Sequence, residues 1–225
     1  MTIQEETSGH RADIAAILRA SLPTLVLVLL IVMGSAMSPG VLSQGALANF
    51  LVDAAPLVIL VVGATFPILT GSIDLSVAGT VSLTGVLLVS LGPILGDYTG
   101  IAIVLIALLL GAAQGFVHVY FRLPSFIVTL GALGILSGLA LYISDSVAQP
   151  ISPGDLLVDY ISGSVGIFPN SIFVLAAVVI LLALAMHFTR LGRDIFALGT
   201  GERAAMMSGV NVLAIRMTVF AISSA

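Results

Sequence analysis

Few residues in this chain could do chemistry, because only 8% of its 225 residues are charged and it has no cysteine. Lysine is absent too, which excludes a phosphate-binding loop of the kind that needs a lysine. The histidines, His10, His118 and His187, are isolated, and no pair has metal-ligand spacing. We therefore expect no catalytic residue, metal or cofactor. The informative residues are the polar ones that interrupt apolar sequence.

Asp53 is one such residue, since it lies within a long apolar run, roughly 10 Å from the end of that run at 1.5 Å per residue. A charged acid in lipid costs several kcal/mol, so an acid in this position is a functional candidate. It could face a hydrated pathway and bind a hydroxyl of a substrate. It could instead be neutral, or hydrogen-bonded to a neighbouring helix.

A second acid lies in residues 71–79, GSIDLSVAG, where one apolar run turns into the next. Irregular backbone at membrane depth is tolerated only inside protein or along a wet cavity. One interpretation is that Gly71, Asp74 and Ser76, together with Asp53, line or gate a translocation pathway. The other is that Asp74 caps a helix that starts at Leu75.

Residues 190–216 are a longer polar stretch, with four of the seven arginines. Within it, residues 201–209 are rich in good helix formers. Gly199 and Gly201 can bend the chain into this helix, and Gly209 can end it. A short helix between two spans is suited to docking a soluble partner. The residues predicted to form the docking surface are Gly199, Glu202, Arg203, Ala204, Ala205, Met206, Met207, Ser208 and Gly209.

An amphipathic helix lying on the membrane is the alternative for residues 201–209. Such helices carry several cations on the polar face, whereas this one has only Arg203. The composition therefore favours docking of a partner.

The elements that carry these residues must lie in a membrane. The chain is 59% hydrophobic, and soluble domains have about 25% charged residues. A compact soluble core of this size could not bury so many apolar side chains, so the solvent must be lipid. We expect an all-α, polytopic bundle of transmembrane helices.

The apolar runs predict six complete spans and the start of a seventh, after a polar tail at residues 1–19. Residues 20–225 then form one transmembrane domain. The runs are residues 22–37, 46–69, 75–91, 101–120, 125–143 and 171–188, with the seventh beginning at about Ala214. The seventh has only about twelve residues before Ala225, whereas a span needs about 20. We therefore expect the sequence to be a fragment that ends within a helix.

The arginines predict the orientation of these spans. With six spans, the tail, the turns at 70–74 and 121–124 and the segment 189–213 share one side, and all seven arginines fall on that side or at its edge. Cytoplasmic loops are enriched in arginine and lysine. The amino terminus and residues 189–213 are therefore predicted to be cytoplasmic, and the polar loop 144–170 is predicted to face outward.

Two glycine pairs, Gly111 with Gly115 and Gly134 with Gly138, have the spacing that lets transmembrane helices approach closely. Because the chain has 23 glycines, such spacings also arise by chance. The sequence does not separate the two pairs.

Three stretches resemble the permease subunits of bacterial ATP-binding cassette (ABC) importers of the ribose/xylose type. Residues 69–77, LTGSIDLSV, are similar to that family's TGGIDLSVG signature, with Ser72 in place of a glycine. Residues 123–131, LPSFIVTLG, resemble the opening of its fifth span. Residues 189–210 resemble its cytoplasmic coupling loop, although Met206 stands where the family usually has arginine.

The resemblance implies the partners of a monosaccharide importer in a bacterial inner membrane. Two permease subunits form the pore, the coupling helix of each sits in a cleft of a cytoplasmic ATPase subunit, and an extracytoplasmic binding protein delivers the solute. The chain itself is then no enzyme, and its remaining environment is the lipid bilayer, with no nucleic acid.

Two alternatives remain open at this point. One is an importer of the same build for branched-chain amino acids, nucleosides or a sugar-like signal. The other is an ion-coupled secondary transporter, whose expected sign is an inverted repeat with matched interruptions. The sequence shows no strong repeat of that kind.

Overall fold

The computed structural model describes residues 21–38, 40–148, 150 and 156–225, so the predicted tail at residues 1–19 lies outside the described residues. The chain divides into two compact units, Met1–Phe50 and Leu51–Ala225. In the first unit, the apolar helix α1 occupies Ser21–Met37, and most of its side chains are exposed.

The rest of the described chain is largely helical, which confirms the predicted all-α class. The helices are α2 (Gln44–Leu69), α3 (Val77–Leu95), α4 (Thr99–Tyr120), α5 (Ser125–Ile143), α6 (Leu156–Ser162), α7 (Asn170–Phe188), α8 (Arg190–Thr200), α9 (Glu202–Met207) and α10 (Val212–Ser224). A 3-10 helix, Gly96–Tyr98, joins α3 to α4. Two short antiparallel strands, β1 (Ser164–Val165) and β2 (Phe168–Pro169), precede α7.

Four helical stretches of the described chain are long and apolar enough to cross a membrane. They are Gln44–Leu69, Val77–Tyr120, Ser125–Ile143 and Asn170–Phe188. Large apolar side chains point outward from them, as in Leu109, which is 71% exposed, and Leu181, which is 67% exposed. Water would solvate such surfaces poorly, whereas lipid covers them without cost. The chain is therefore an integral membrane protein with several apolar helices.

The larger hydrophobic core attaches the C-terminal helices to the end of α2. Phe66 of α2 packs with Ile195 of α8, Ala205 of α9 and Val219 and Phe220 of α10. In lipid, where burial of apolar surface gains no transfer free energy from water, close van der Waals packing of this kind holds helices together. The segment that follows α7 is therefore anchored on the transmembrane helices.

A smaller core joins α3 to α5, where Leu83 packs against Leu136 and Ala140. Gly79 brings the two helices close together, since a Cβ on it would lie 3.0 Å from the Leu133 carbonyl oxygen. Apolar packing thus holds α3 and α5, the first and last helices of the segment 77–143, against each other.

Two glycines of α4 allow α10 to pack closely against it. A Cβ added to Gly111 or Gly115 would collide with the α10 backbone, and the one on Gly115 would lie 2.7 Å from the Met217 Cα. A Cβ on Gly134 or Gly138 would meet nothing within 4 Å. The first glycine pair therefore forms a helix interface within this chain, and the second does not.

Several predicted boundaries are wrong. The third apolar run was expected to end at residue 91, with a loop over 92–100, but α3 continues to Leu95 with Pro93 inside it, and only the 3-10 turn separates it from α4. Pro93 removes one hydrogen bond of the helix, and the helix ends two residues later, where Gly96 has a φ of 53°. The loop predicted over 144–170 contains α6 and the β1–β2 hairpin within its described part.

Candidate functional site

The chain between α2 and α3 is not helical, and its hydroxyl residues are buried while Ile73 and Leu75 are exposed. Residues 72–76 have no regular secondary structure, and Ser72 and Ser76 are 1% and 0% exposed. The amide of Ser72 donates to the Pro67 carbonyl at 2.9 Å, and Gly71 has a φ of 73°, a conformation that favours glycine. Residues 72–76 are called the unwound segment below.

Two hydroxyl groups of α5 satisfy the backbone of the unwound segment. The Ile73 amide donates to Ser125 Oγ at 2.9 Å, and the hydroxyl of Thr129, whose nearest acceptor is the Ser125 carbonyl at 3.0 Å, also lies 3.3 Å from the Ile73 carbonyl. Both α5 side chains are buried. Because unpaired backbone groups are costly in a membrane protein's interior, these two contacts stabilise the interruption between α2 and α3.

Asp74 links the unwound segment to α10. Its Oδ1 accepts from the Ser76 amide at 2.9 Å and from the Ser76 hydroxyl at 2.7 Å, while Oδ2 accepts from Ser223 Oγ at 2.7 Å. The prediction that Asp74 caps a helix starting at Leu75 is wrong. Helix α3 begins at Val77, and Ser76 holds the N-cap position. The carboxylate instead closes a turn around Ser76 and fastens that turn to a neighbouring helix.

The structure brings together three of the four residues predicted to form a translocation pathway. Gly71, Asp74 and Ser76 lie within or beside the unwound segment. Asp53 is exposed on α2, 16 residues before Leu69, which corresponds to about 24 Å along the helix axis. Their role in translocation stays a prediction.

Arg216 of α10 connects the unwound segment to two other elements. Its side chain is 12% exposed, with Nη1 donating to Ser72 Oγ at 3.1 Å and Nη2 donating to Glu202 Oε2 of α9 at 2.8 Å. Nη1 also contacts Nε2 of His118 in α4, whose Nδ1 lies 2.6 Å from the Leu123 carbonyl. If Nδ1 carries the proton for that carbonyl, Nε2 is the acceptor for Arg216. The set Ser72, His118, Glu202 and Arg216 is called the arginine junction below.

The arginine junction brings three turns to one end of the unit Leu51–Ala225. Ser72 comes from the turn at 70–74, His118 is bonded to the turn at 121–124, and Glu202 comes from the segment 189–213. The arginine distribution predicted that these three connections share one side. That grouping is confirmed, and its cytoplasmic location stays a prediction.

Helix α9 lies where a short helix was predicted over residues 201–209. Met207 is 91% exposed and Met206 is 50% exposed, whereas Ala205 is 2% exposed and belongs to the larger core. Gly209, with a φ of 85°, ends the helical turn as predicted. The exposed surface of α9 and the turn after it consists of Glu202, Arg203, Ala204, Met206, Met207, Ser208 and Gly209. Ala205 holds this surface on the protein rather than facing a partner.

Helix α8 was not predicted, and it changes the role of Gly199. That residue was expected to bend the chain, but it lies inside α8, and a Cβ on it would overlap the Leu69 carbonyl at the end of α2. Ile195 and Leu198 are buried on the same helix. Its alternation of arginines with apolar residues fits a helix with one buried face. Gly199 thus allows α8 to approach the end of α2, where the turn that leads to the unwound segment begins.

A cavity of about 200 Å³ lies among α2, α3, α4, α7 and α10, next to the unwound segment. Its lining is mainly apolar. The hydroxyl groups on it belong to Thr80, Thr84, Ser223 and Ser224. In the described residues, no group of three histidine, aspartate or glutamate side chains could hold a metal ion. The polar chemistry of this cavity is therefore that of hydroxyl groups.

Sequence reasoning missed the polar partners that lie outside the 71–79 stretch: His118, Ser125, Thr129, Arg216 and Ser223. The sequence-based prediction used Arg216 only as a positive charge that sets the orientation of the spans. Its position in the apolar sequence NVLAIRMTVF was a usable signal, because an ionisable residue within a membrane helix usually has a partner or a function. The serines and threonines carried no such signal, since they are common in membrane helices.

These features define a class: a polytopic helical membrane protein in which a partly buried, non-helical segment connects two spans. Transport proteins use irregular connections of this kind, because such backbone can line or move beside a pathway.

The chain belongs to the family described as branched-chain amino acid transport system / permease component, which matches residues 46–225. It is 32% identical to the ribose import permease protein RbsC of Escherichia coli strain K12, over 99% of this chain and 70% of that protein. It is 34% identical to the protein of the same name in Haemophilus influenzae, over 88% of this chain and 63% of that protein. It is also 33% identical to the fructose import permease protein FruG of Bifidobacterium longum, over 86% of this chain and 62% of that protein. No solved structure matches the chain.

The chain thus spans about two thirds of the length of these relatives. Because the chain belongs to this permease family, the ion-coupled secondary transporter is no longer an alternative for its class.

Proposed function

We propose that this chain is a permease subunit of an ATP-binding cassette importer, and that its cargo is a monosaccharide of the ribose type. The observation that carries the proposal is α9, an exposed helix with two methionines at its tip, bonded through Arg216 to the unwound segment between two spans. An ATPase that docks on α9 would be mechanically connected to the interior of the membrane domain. The relatives named for ribose and fructose import support a sugar as the cargo.

The proposed partners follow from this assignment. A cytoplasmic ATPase subunit docks on α9, a second permease subunit completes the pathway, and an extracytoplasmic binding protein delivers the sugar. ATP hydrolysis is assigned to the ATPase, because this chain has no lysine with which to build a phosphate-binding loop.

The proposed topology has six complete spans, α1, α2, α3, α4, α5 and α7, with α10 as the first part of a seventh. The helical stretch Val77–Tyr120 supports two spans rather than one. Its 44 residues would extend about 66 Å, twice the hydrocarbon thickness of about 30 Å. The amino terminus and α9 are then cytoplasmic, and β1 is extracytoplasmic.

Single-cysteine labelling tests this topology, and the absence of native cysteine makes each site unambiguous. Thr200 and Ser164 are both exposed, so Thr200→Cys and Ser164→Cys form a matched pair. A membrane-impermeant maleimide added to intact cells should label Ser164→Cys and leave Thr200→Cys unlabelled until the cells are opened. Labelling of Thr200→Cys from outside would refute the orientation and the ATPase docking site with it.

Reconstitution tests the function. The chain is co-expressed with a candidate ATPase from the same class of importer and purified by a tag on the ATPase. The complex is then assayed in proteoliposomes, with a candidate sugar-binding protein added, for ATP-dependent uptake of radiolabelled ribose. Met207→Glu should weaken ATPase binding roughly tenfold or more, because it charges the most exposed apolar residue of the proposed contact. Met37→Glu is the control, since Met37 is 85% exposed at the end of α1, on the side predicted to face outward.

Docking at α9 would be contradicted if both variants lost ATPase binding to the same extent, or if neither variant lost it. Competition by unlabelled fructose, leucine and a nucleoside identifies the cargo. Uptake that survives ATP depletion but stops with a protonophore would refute the importer class.

A further inference from the structure

The unwound segment is fastened to α10 at two points. Arg216 Nη1 donates to Ser72 Oγ, and Ser223 Oγ donates to Asp74 Oδ2. Arg216 and Ser223 are seven residues apart, which is two helical turns and about 10 Å along the axis. The unwound segment therefore runs beside α10, and a shift of α10 along its axis displaces Ser72 and Asp74 together.

Helix α10 is also fastened to α9, and through the same side chain. The guanidinium of Arg216 uses Nη2 for Glu202, which begins α9, and Nη1 for Ser72. Only the loop 208–211 separates α9 from α10 along the chain. One planar group thus contacts both the docking helix, through the half-exposed Glu202, and the unwound segment, through the buried Ser72.

The chemistry of arginine suits this position better than that of lysine. A guanidinium presents several donors in a rigid plane, whereas an ammonium is a single flexible point charge. His118 contributes an acceptor from α4 and keeps the guanidinium in place, because its ring is itself bonded to the Leu123 carbonyl. The side chain of Arg216 is only 12% exposed, so its partners are protein groups rather than bulk water.

We propose that Arg216 is the positioning residue that transmits displacement of α9 to the unwound segment, so that ATPase movement reaches Ser72 and Asp74 through one guanidinium. The inference rests on the proposed function, since it takes α9 to be the ATPase docking helix. It assigns to Arg216 a role in coupling hydrolysis to transport, separate from docking. Loss of Arg216 leaves the exposed methionines of α9 in place and disconnects them from the segment.

The experiment measures ATP hydrolysed per ribose transported by the complex of the full chain with its ATPase in proteoliposomes. Three variants are compared with the wild type: Arg216→Met, Arg216→Lys and Ser72→Ala. Ser72→Ala removes only the acceptor at the unwound segment and leaves the surface of α9 unchanged. Thr218→Ala is the control on the same helix, because Thr218 Oγ1 donates only to the Ala214 carbonyl within α10.

We expect Arg216→Met and Ser72→Ala to bind the ATPase normally while the ratio of ATP to ribose rises at least fivefold. The ratio of ATP to ribose for Arg216→Lys should lie between the ratios for Arg216→Met and the wild type. Lysine keeps the positive charge but lacks the two terminal nitrogens that contact Ser72 and Glu202 separately. Thermal stability of each purified complex is measured in parallel. If the thermal stability of a variant falls while its ratio of ATP to ribose is unchanged, the substituted residue has only a structural role.

An unchanged ratio in Ser72→Ala, with the complex intact, overturns the transmission role while leaving the proposed function standing. The same holds for Arg216→Met if that variant folds. Failure of the wild-type chain to bind any ATPase, by contrast, refutes the proposed function and the transmission role together.

Discussion

Replacing Gly115 by alanine tests the close packing of α4 on α10 that the arginine junction depends on. The new Cβ would lie 2.7 Å from the Met217 Cα and 2.8 Å from the Arg216 carbonyl oxygen, whereas ordinary contacts begin at 3.4 Å. The helices must therefore separate by about 0.7 Å, the difference between 3.4 and 2.7 Å. Both groups it would meet are backbone, so no side chain can rotate out of the way.

The expected cost of such overpacking is about 1 to 3 kcal/mol. The same separation moves Arg216 of α10 away from His118 of α4 and so disturbs the arginine junction. We expect Gly115→Ala to lower the melting temperature in detergent by several degrees and to raise the ratio of ATP to ribose.

The matched control for Gly115→Ala is Gly134→Ala. It makes the same chemical change inside a helix and gains the same helix propensity, about 1 kcal/mol, but its Cβ meets nothing within 4 Å. Melting is followed by size-exclusion chromatography after heating. A melting temperature for Gly115→Ala equal to or above that of Gly134→Ala would refute the packing of α10 on α4.

Two further substitutions test contacts around the unwound segment and α10. Ser125→Ala leaves the Ile73 amide without its acceptor, and we expect it to destabilise the protein by about 1 to 3 kcal/mol in a denaturant titration. Asn211→Ala removes the side chain that accepts from the Ala214 amide at the start of α10, and we expect it to cost about 0.5 to 2 kcal/mol in the same assay.

Ser82→Ala is the control for the first of these, since Ser82 is exposed and its hydroxyl donates only to the Ala78 carbonyl of its own helix. Equal stability of Ser125→Ala and Ser82→Ala would contradict the role given to α5 in supporting the unwound segment. If Asn211→Ala unfolds at the same denaturant concentration as the wild type, its cap does not stabilise α10.

The sequence alone determined the class of this protein and the places where it could act. Apolar runs of span length require lipid as the solvent, because no soluble core of this size could bury them, and that reasoning needs no tertiary contact. The bounds of α5 followed directly from its run, with a proline before Ser125 and polar residues after Ile143. The arginine distribution grouped three connections on one side, as the arginine junction confirms.

Only the tertiary structure decided which residues meet. The two glycine pairs look alike in sequence, yet one contacts α10 and the other faces open space, because helix rotation rather than spacing sets what a glycine faces. Helix α8 escaped prediction because its apolar face is short and alternates with arginines. Arg216 and Ser72 are 144 positions apart. Local composition contains no information about a pairing at that separation, and the packing of α10 beside the unwound segment creates it.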